Sequence, residues 1–446
     1  MKPFVHNVNG RLGDFMNYRY EKDVIGEEQI ERDSLLGIHS ARNIRIFKLG
    51  GWRLHRYATY IKMLLFIKKA AAIANRAAGD LNEKKAQTII ETCDLLLLTK
   101  HNDQFAVETL QGGGNIAVNL NINEVIANFA NKEHSKKDLI DAINDVNLSQ
   151  STADVCRTAG NMAVYEELTK FQQQFAKLVE SFQQKEKEFT GIASISRTCL
   201  QDGSKNDMGE FFSGYTAVLQ RRYHRLESVY AQLLAINIGG TVIGDGEGAS
   251  KNYQALIVES LITVSNMPLT STTNKFDMAQ NIDVHVEVSD QLNIVAEALI
   301  KIAKDLRLLS SGPETGFNEL RLPQIVKGSS FFPGKINPVI PETVMQCCFE
   351  VGGLNYSIHR SSENGELNLN VFEGYAVFKL LDSIQLLTRA ITLLNDYCIQ
   401  GISVNSEQCK QYSESLIPSI VSVKEQFGYH AAEEYYKNIL KKRDLK

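Results

Sequence analysis

The sequence predicts a mainly α-helical protein built around a long central bundle of helices. No proline lies between Pro3 and Pro268, so the strongest helix breaker is absent from more than half of the 446 residues. Apolar residues spaced three and four apart recur in four segments, which is the period of an amphipathic helix. Segments of about 25 to 30 residues would form helices roughly 40 Å long, because each residue adds about 1.5 Å. We therefore expect an elongated bundle that packs against copies of itself.

The four apolar stripes indicate seams where helices pack on one another. Their members are Leu168, Phe171, Phe175, Leu178 and Phe182; Phe212, Tyr215, Leu219, Leu226, Val229 and Leu233; Leu292, Val295, Leu299, Ile302, Leu306 and Leu309; and Val377, Leu381, Ile384, Leu387, Ile391, Leu394 and Cys398. The glycine-rich stretches 111–115, 239–248 and 312–341 are predicted to be loops. Loops on a rigid scaffold are where functional residues concentrate.

The composition excludes several classes of function. A net charge of −4 without a run of Lys and Arg argues against a nucleic-acid partner. The most apolar segment, 60–75, is interrupted by Lys62, Lys68 and Lys69, so neither a membrane span nor a secretory signal fits it. Seven cysteines without CxxC spacing indicate neither a disulfide framework nor a zinc site. We expect a cytoplasmic protein that uses no metal and no cofactor.

The loop at 312–341 has the composition of a hinged, functional segment. It contains five of the chain's eight prolines, and Ser329, Ser330, Lys335 and Asn337 lie within nine residues. Glycines allow hinging and prolines stiffen the return. The pattern suits a mobile lid that carries a proton acceptor, followed by a fixed cation and an amide that hold a carboxylate. Many ordinary surface turns also contain serine and lysine.

The segment "GSSFFPGKINP" resembles the GSSxMPxKxNP signature of the aspartase/fumarase superfamily. Further segments resemble the aspartase branch in the expected order: "MLLFIKKAAAIAN", "VNLNINEVIAN", "VNLSQSTAD", "SRTCLQD", "NIGGTVIG", "DLRLLSSGP" and "GISVNSEQC". The resemblance implies a three-domain subunit with an N-terminal domain (1–142), a central long-helix domain that carries the GSS loop (143–397) and a shortened C-terminal domain (398–446). It also implies a homotetramer in which each active site is built from three subunits.

The resemblance implies a reaction on a C4 dicarboxylate. In the family, a proton is removed beside one carboxylate of a succinyl unit and an amine or hydroxide leaves the neighbouring carbon, which gives fumarate. Deprotonation creates a doubly negative aci-carboxylate that preorganised donors and cations must stabilise. By motif position Ser329 is the base, acting as an alkoxide, and Lys335 and Asn337 hold a carboxylate. The remaining substrate contacts that the resemblance implies are Asn119, Ser151, Thr152, Thr198 and Ser330.

Three positions depart from the family pattern where the leaving amine is expected. Ile116 stands where the family has threonine, Ala153 replaces asparagine, and Cys199 replaces histidine or glutamine. All three changes reduce polarity, and an ammonium without hydrogen-bond partners costs roughly 1–3 kcal/mol for each unsatisfied group.

The histidines of the family pattern are also missing. In "INDVN", Asp145 stands in place of a histidine. Glu342 keeps the carboxylate that in the family pairs with the histidine now replaced by Cys199, so we expect Glu342 to have lost this histidine partner and any carboxylate–histidine relay to be absent.

Three hypotheses follow. The first is a lyase that releases fumarate from an N-substituted aspartate, since the carboxylate contacts remain while the amine pocket becomes small and apolar. The second is an ordinary aspartate ammonia-lyase, in which other groups hold the amine. The third is a non-catalytic relative with a binding or structural role.

Overall fold

The structure, a computed structural model, describes residues 17–99, 101–134 and 139–443. The prediction of a mainly α-helical protein is confirmed. The helices are α1 (Ile38–Ile46), α2 (Ala58–Ala78), α3 (Glu83–Leu98), α4 (Ile116–Glu133), α5 (Thr152–Glu188), α6 (Met208–Tyr230), α7 (Lys251–Ser265), α8 (Lys275–Gln280), α9 (Asp283–Leu309), α10 (Val339–Ser362), α11 (Glu373–Leu394), α12 (Ser406–Ser413), α13 (Leu416–Phe427) and α14 (Tyr429–Arg443).

The four predicted stripes lie on α5, α6, α9 and α11. The second continues into a 3-10 turn at Ala231–Leu234, and the fourth into a π-helical turn at Asn395–Ile399. Their members are buried, except that Val229 and Leu309 are half-buried. The stripes of α5 and α6 meet through aromatic rings: Phe182 and Tyr215 contact edge to face with centroids 6.0 Å apart. Helix α5 has 37 residues and α9 has 27, so the long helices are as the periodicity predicts.

The strands are short and occur in pairs. They are β1 (Tyr18–Lys22), β2 (Glu27–Glu31), β3 (Ala193–Thr198), β4 (Gln201–Asp207), β5 (Ala235–Ile236), β6 (Thr270–Ser271), β7 (Leu320–Arg321) and β8 (Ser403–Val404). The pairs β1–β2, β3–β4 and β7–β8 are antiparallel, and β5–β6 is parallel. The β3–β4 hairpin was not expected from the sequence.

Local sequence explains where helices begin and end. The Ser250 hydroxyl accepts the Tyr253 N–H (3.1 Å) at the start of α7, and the Asn82 side chain accepts the Lys85 N–H (2.9 Å) at the start of α3. Helix α2 ends at Gly79, whose φ of +83° is the left-handed conformation in which glycine is least strained.

The chain divides into two compact units. The first contains the described residues up to Leu168, with Val229–Ser289 and Leu354–Asp382; within it α2 packs against α3 and α7. The second contains Thr169–Ser228, Asp290–Gly353 and the described residues from Ser383 onward; within it α12 and α13 pack against the β3–β4 hairpin.

The predicted domains 1–142, 143–397 and 398–446 stay a prediction, as does the homotetramer. Residues 1–16 of the first domain and 444–446 of the last lie outside the described residues. Among the described helices, none combines the length and the apolar character that crossing a bilayer requires.

Candidate active site

Two of the predicted carboxylate contacts, Ser151 and Thr152, lie at the start of α5 in the first unit. The Ser151 hydroxyl accepts the Ala153 N–H (3.2 Å), and the Ser151 N–H donates to Asp154 Oδ1 (3.0 Å). These bonds cap the helix, whose N-terminus favours negative charge. Both hydroxyl groups therefore stand at the helix end that suits a carboxylate.

Asp154 ties this turn to the glycine loop 239–248. Its side chain is fully buried, and Oδ2 accepts the N–H groups of Gly239 and Thr241 at 3.0 Å each. Burial raises the pKa of Asp154 to about 6, while the backbone donors act in the opposite direction. The glycine loop thus supports the turn that carries Ser151 and Thr152.

Asn119 lies on α4 and contacts the same turn. Its Nδ2 donates to Thr152 Oγ1 (3.1 Å) and to Asn147 Oδ1 (3.0 Å). Its Oδ1 is buried without a hydrogen-bond partner among the described residues. The structure therefore brings together Asn119, Ser151 and Thr152, as the motif positions imply.

Ile116 and Ala153 do not share a cavity in this unit. Ile116 is the first residue of α4, is 44% exposed and lines a cavity of about 170 Å³ with Arg42 and Phe47. Ala153 lines a much smaller cavity of about 20 Å³. The expectation that both surround one leaving group stays a prediction.

The small cavity beside Ala153 contains two charged residues that sequence reasoning missed. Arg157 and Glu373 are buried and line it. Arg157 Nε and Nη1 and Glu373 Oε1 lack hydrogen-bond partners among the described residues. Burial raises the pKa of Glu373, and the Arg157 charge opposes that shift. An arginine one turn into a buried helix was the available signal, since isolated buried charge is rare.

The loop Gly328–Asn337 belongs to the second unit, and its two ends meet. The Asn337 Nδ2 donates to the Gly328 carbonyl at 2.6 Å. A Cβ at Gly328 would lie 2.1 Å from the Lys335 carbonyl oxygen, so only glycine permits this approach. The intervening residues, including Ser330 and Lys335, are mostly exposed.

The Ser329 hydroxyl oxygen is aimed at backbone donors of its own loop. It accepts the N–H groups of Phe331 (3.0 Å) and Phe332 (2.8 Å). Two N–H donors on one oxygen favour its anionic form, because hydrogen bonds to a charged acceptor are stronger than those to a neutral one. This arrangement is suited to an alkoxide.

Lys335 and Asn337 line one cavity of about 310 Å³ in the second unit. Arg321, which sequence reasoning missed, lines the same cavity and adds a second cation. The Lys335 ammonium lies 5.8 Å from the Phe332 ring centroid. The cavity thus offers two cations and an amide, which is a donor set that a carboxylate prefers.

Thr198 and Cys199 lie at the exposed turn of the β3–β4 hairpin, also in the second unit. Thr198 pairs with Gln201, and Cys199 and Leu200 between them have φ of 54° and 60°. Left-handed backbone is costly for residues other than glycine, so this turn is strained.

Arg197 anchors that turn. Its guanidinium lies 4.4 Å from the Phe317 ring centroid and 5.3 Å from that of Tyr412, and it forms an ion pair with the buried Glu319. The hairpin is therefore fixed directly behind Thr198.

Glu342 has an arginine partner, because Arg307 Nη2 lies 3.1 Å from Glu342 Oε1. The loss of the carboxylate–histidine relay stays a prediction. Arg307 comes from α9, and its approach could not be read from motif positions. Asp145 also has a cation: it is buried and forms an ion pair with Lys85 at 2.6 Å.

Within 17–99, 101–134 and 139–443, no group of three or more His, Cys, Asp or Glu side chains could hold a metal ion. The absence of metal and cofactor stays a prediction.

Comparisons with known proteins match most of the chain. The profile of a family described as lyase matches residues 26–353. The aspartate ammonia-lyase of Pseudomonas aeruginosa is 38% identical over 95% of this chain and 90% of its own length. The structure titled fumarate lyase:delta crystallin from Brucella melitensis bound to cobalt has a TM-score of 0.91 at 37% identity, covering 95% of this chain and 93% of that one. The recombinant class II fumarase from Schistosoma mansoni has a TM-score of 0.90 at 26% identity, covering 96% and 93%. The chain therefore belongs to the aspartase/fumarase superfamily and is a carbon–nitrogen lyase of that superfamily.

Proposed function

We propose that this lyase catalyses the reversible elimination of ammonia from an aspartate-like C4 dicarboxylate, which yields fumarate. The observation that carries the proposal is the Ser329 oxygen, which accepts two backbone N–H groups in the loop that also carries Lys335 and Asn337. The curated relatives are aspartate ammonia-lyases, which favours ammonia over the substituted amine that the motif departures favour.

In the proposed reaction, the Ser329 alkoxide takes a proton from the carbon beside one carboxylate. The electron pair of that C–H bond forms the double bond, and the C–N bond breaks with its electron pair leaving on nitrogen. The two N–H donors stabilise the alkoxide before the reaction. Lys335, Asn337 and Arg321 are proposed to stabilise the aci-carboxylate, because charge that develops in the transition state gains most from preorganised cations.

The second carboxylate is proposed to bind at the start of α5. Ser151, Thr152 and Asn119 present hydroxyl and amide groups there, and the helix N-terminus adds a favourable field. These residues and the Ser329 loop belong to different compact units. We propose that a homotetramer of this chain builds each site from three subunits.

A second candidate is elimination from an N-substituted aspartate. It is favoured by Ile116, Ala153 and Cys199, which offer an amine few hydrogen-bond partners. Non-catalytic binding is the remaining alternative, and the retained Ser329, Lys335 and Asn337 argue against it.

The test is to incubate the purified protein with L-aspartate and, separately, with a panel of N-substituted aspartates. Fumarate is followed by its ultraviolet absorbance, and released ammonia is assayed independently. Ammonia and fumarate in equal amounts from aspartate support the proposal, whereas fumarate from a substituted substrate alone supports the second candidate. Turnover of neither, by a protein of intact oligomeric state, contradicts both.

Two serine variants assign the base. Ser329→Ala should lower kcat by about 100- to 10,000-fold, the usual contribution of a positioned general base. Ser330 is predicted only to contact the substrate, so Ser330→Ala should raise KM and lower kcat much less. Equal losses in both variants would contradict the role of Ser329.

A further inference from the structure

Lys68 on α2 is fully buried, although lysine is among the residues least often found inside a protein. The adjacent Lys69 has an ordinary ion pair near the surface. Its Nζ lies 2.6 and 2.8 Å from the two carboxylate oxygens of Asp94, whose side chain is partly exposed to solvent. A buried ammonium is costly to desolvate. Its retention beside an ordinary surface lysine requires a local reason.

The Lys68 ammonium is held by amide oxygens rather than by a carboxylate. Nζ donates to Asn147 Oδ1 (3.0 Å) and to Gln150 Oε1 (2.9 Å). Among the described residues, no carboxylate oxygen lies within ion-pair distance of this nitrogen. The positive charge is therefore not neutralised by direct contact.

Both amides belong to the turn that leads into α5. Asn147 Oδ1 also accepts Nδ2 of Asn119 (3.0 Å) and of Asn123 (3.1 Å), so three donors meet on one oxygen. Asn119 continues to Thr152 Oγ1 at 3.1 Å.

Gln150 is fixed at both ends of its amide. While Oε1 accepts from Lys68, its Nε2 donates to the carbonyls of Val146 (2.9 Å) and Leu148 (3.1 Å). Nε2 can donate to these carbonyls only when the amide oxygen, and not the nitrogen, points toward Lys68. The cation and these neighbouring groups together set which way both amides point, and Asn119 links them to the Thr152 hydroxyl.

We propose that Lys68 is a positioning residue that holds the Asn147–Thr152 turn for a substrate carboxylate and supplies the positive charge beneath it. This rests on the proposed function, in which Ser151 and Thr152 hold one end of a dicarboxylate. In a dry interior an unneutralised cation attracts an anion much more strongly than in water, because the dielectric constant is lower. Ammonia is neutral, so its binding is not strengthened by this positive charge.

The role predicts a loss in dicarboxylate affinity rather than in chemistry. Lys68→Met should raise KM for the substrate and Kd for succinate by about 10- to 100-fold, the range for a hydrogen-bonded charged group. We expect kcat to change less than about threefold, since the base lies in another loop. Lys69→Met, its matched control on the same helix, should leave both constants unchanged.

A second variant keeps the proposal testable if Lys68→Met fails to fold. Gln150→Glu places a carboxylate within reach of Nζ, so it neutralises the charge while giving the buried amine a partner. Its second oxygen replaces the Nε2 donor to the Val146 and Leu148 carbonyls, so we expect a folded protein with a somewhat lower unfolding temperature. Succinate binding should weaken by about 10-fold or more. A purely structural lysine would lower the unfolding temperature of Lys68→Met without changing succinate affinity in Gln150→Glu.

Succinate binding is measured by calorimetry on the intact, full-length protein, so the test does not depend on turnover. Weakened binding in both variants, with Lys69→Met unchanged, supports the proposal. Wild-type affinity in Gln150→Glu overturns it. If the wild-type protein binds succinate but turns over no aspartate, the proposed function is contradicted, and the variants still test the role of Lys68. If it binds no dicarboxylate, both the proposed function and the role of Lys68 are overturned.

Discussion

The turn before α5 and the loop Gly328–Asn337 both carry predicted substrate contacts, yet they are built in opposite ways. Side chains of α2 and α4 bond to the turn, and backbone N–H groups of the glycine loop 239–248 bond to Asp154 next to it. Most residues of the turn are half-buried. The loop is exposed and is held chiefly by its own backbone and by the Asn337 amide. Few buried contacts mean a low free energy of local opening. The difference is what the proposed function requires: a fixed turn for one carboxylate and a loop that closes with the proposed base.

Gly328→Val should have the largest effect, because it acts on the point where the loop ends meet. The added Cβ would lie 2.1 Å from the Lys335 carbonyl oxygen, so the loop must change path and Ser329 loses its position. We expect kcat to fall by about 100-fold or more, as misplaced catalytic groups do, with little change in unfolding temperature. Gly214→Ala, where an added Cβ meets nothing within 4 Å, is the control. Full activity in Gly328→Val would contradict the comparison.

Arg197→Ala should have the largest effect on stability. It removes the cation between Phe317 and Tyr412 and leaves the buried Glu319 without its ion pair. Breaking such a pair costs about 3–5 kcal/mol of the free energy of unfolding, measured by urea denaturation. The exposed Arg225→Ala should be nearly neutral. If both variants cost the same, Arg197 does not anchor the hairpin.

Protein stability and dicarboxylate affinity at the turn before α5 should depend on pH, because Lys68 titrates. Burial lowers the pKa of Lys68 to about 7, against the attraction of Asp154, Cys156 and Cys93, which face it from α5 and α3. Between pH 7 and the ordinary lysine pKa of about 10.4, the unfolded chain binds the proton that the folded chain has lost. Stability therefore rises with pH relative to Lys68→Met. Dicarboxylate affinity should fall over the same range, because the cation is lost.

Parallel urea titrations and succinate calorimetry from pH 6 to 9 would check both trends. A wild-type affinity that follows the same pH profile as Lys68→Met would show that the amine does not contribute its charge.

Glu342→Gln should have the smallest effect. The Arg307–Glu342 pair is about 40% exposed on both sides, so solvent screens it. We expect a change of about 1 kcal/mol or less in the free energy of unfolding. A loss of activity without a loss of stability would instead show that this carboxylate contributes to catalysis.

The helices and loops were predictable because their signals are local. The spacing of apolar residues and the proline content can be evaluated within each segment by itself. The stripes of α5, α6, α9 and α11 are buried as predicted. The β3–β4 hairpin was not predictable, because its turn uses Cys199 and Leu200 in place of the glycine or asparagine that such turns favour.

The charged partners were equally hidden from the sequence. In the sequence, Lys68 is only a charge that interrupts an apolar segment. Its burial and its amide partners depend on residues about 80 positions away. Arg307 reaches Glu342 from another helix, and Arg157 and Glu373 share a cavity although they are distant in sequence. Such pairings follow from tertiary packing, which motif positions do not report.

The contact between Gly328 and Asn337 makes the segment between them a closed module. Because the two ends of the segment are held next to each other, we expect substitutions within 329–336 to leave the start of α10 in place. Evolution would then be able to change the proposed closure of this segment without altering the turn before α5.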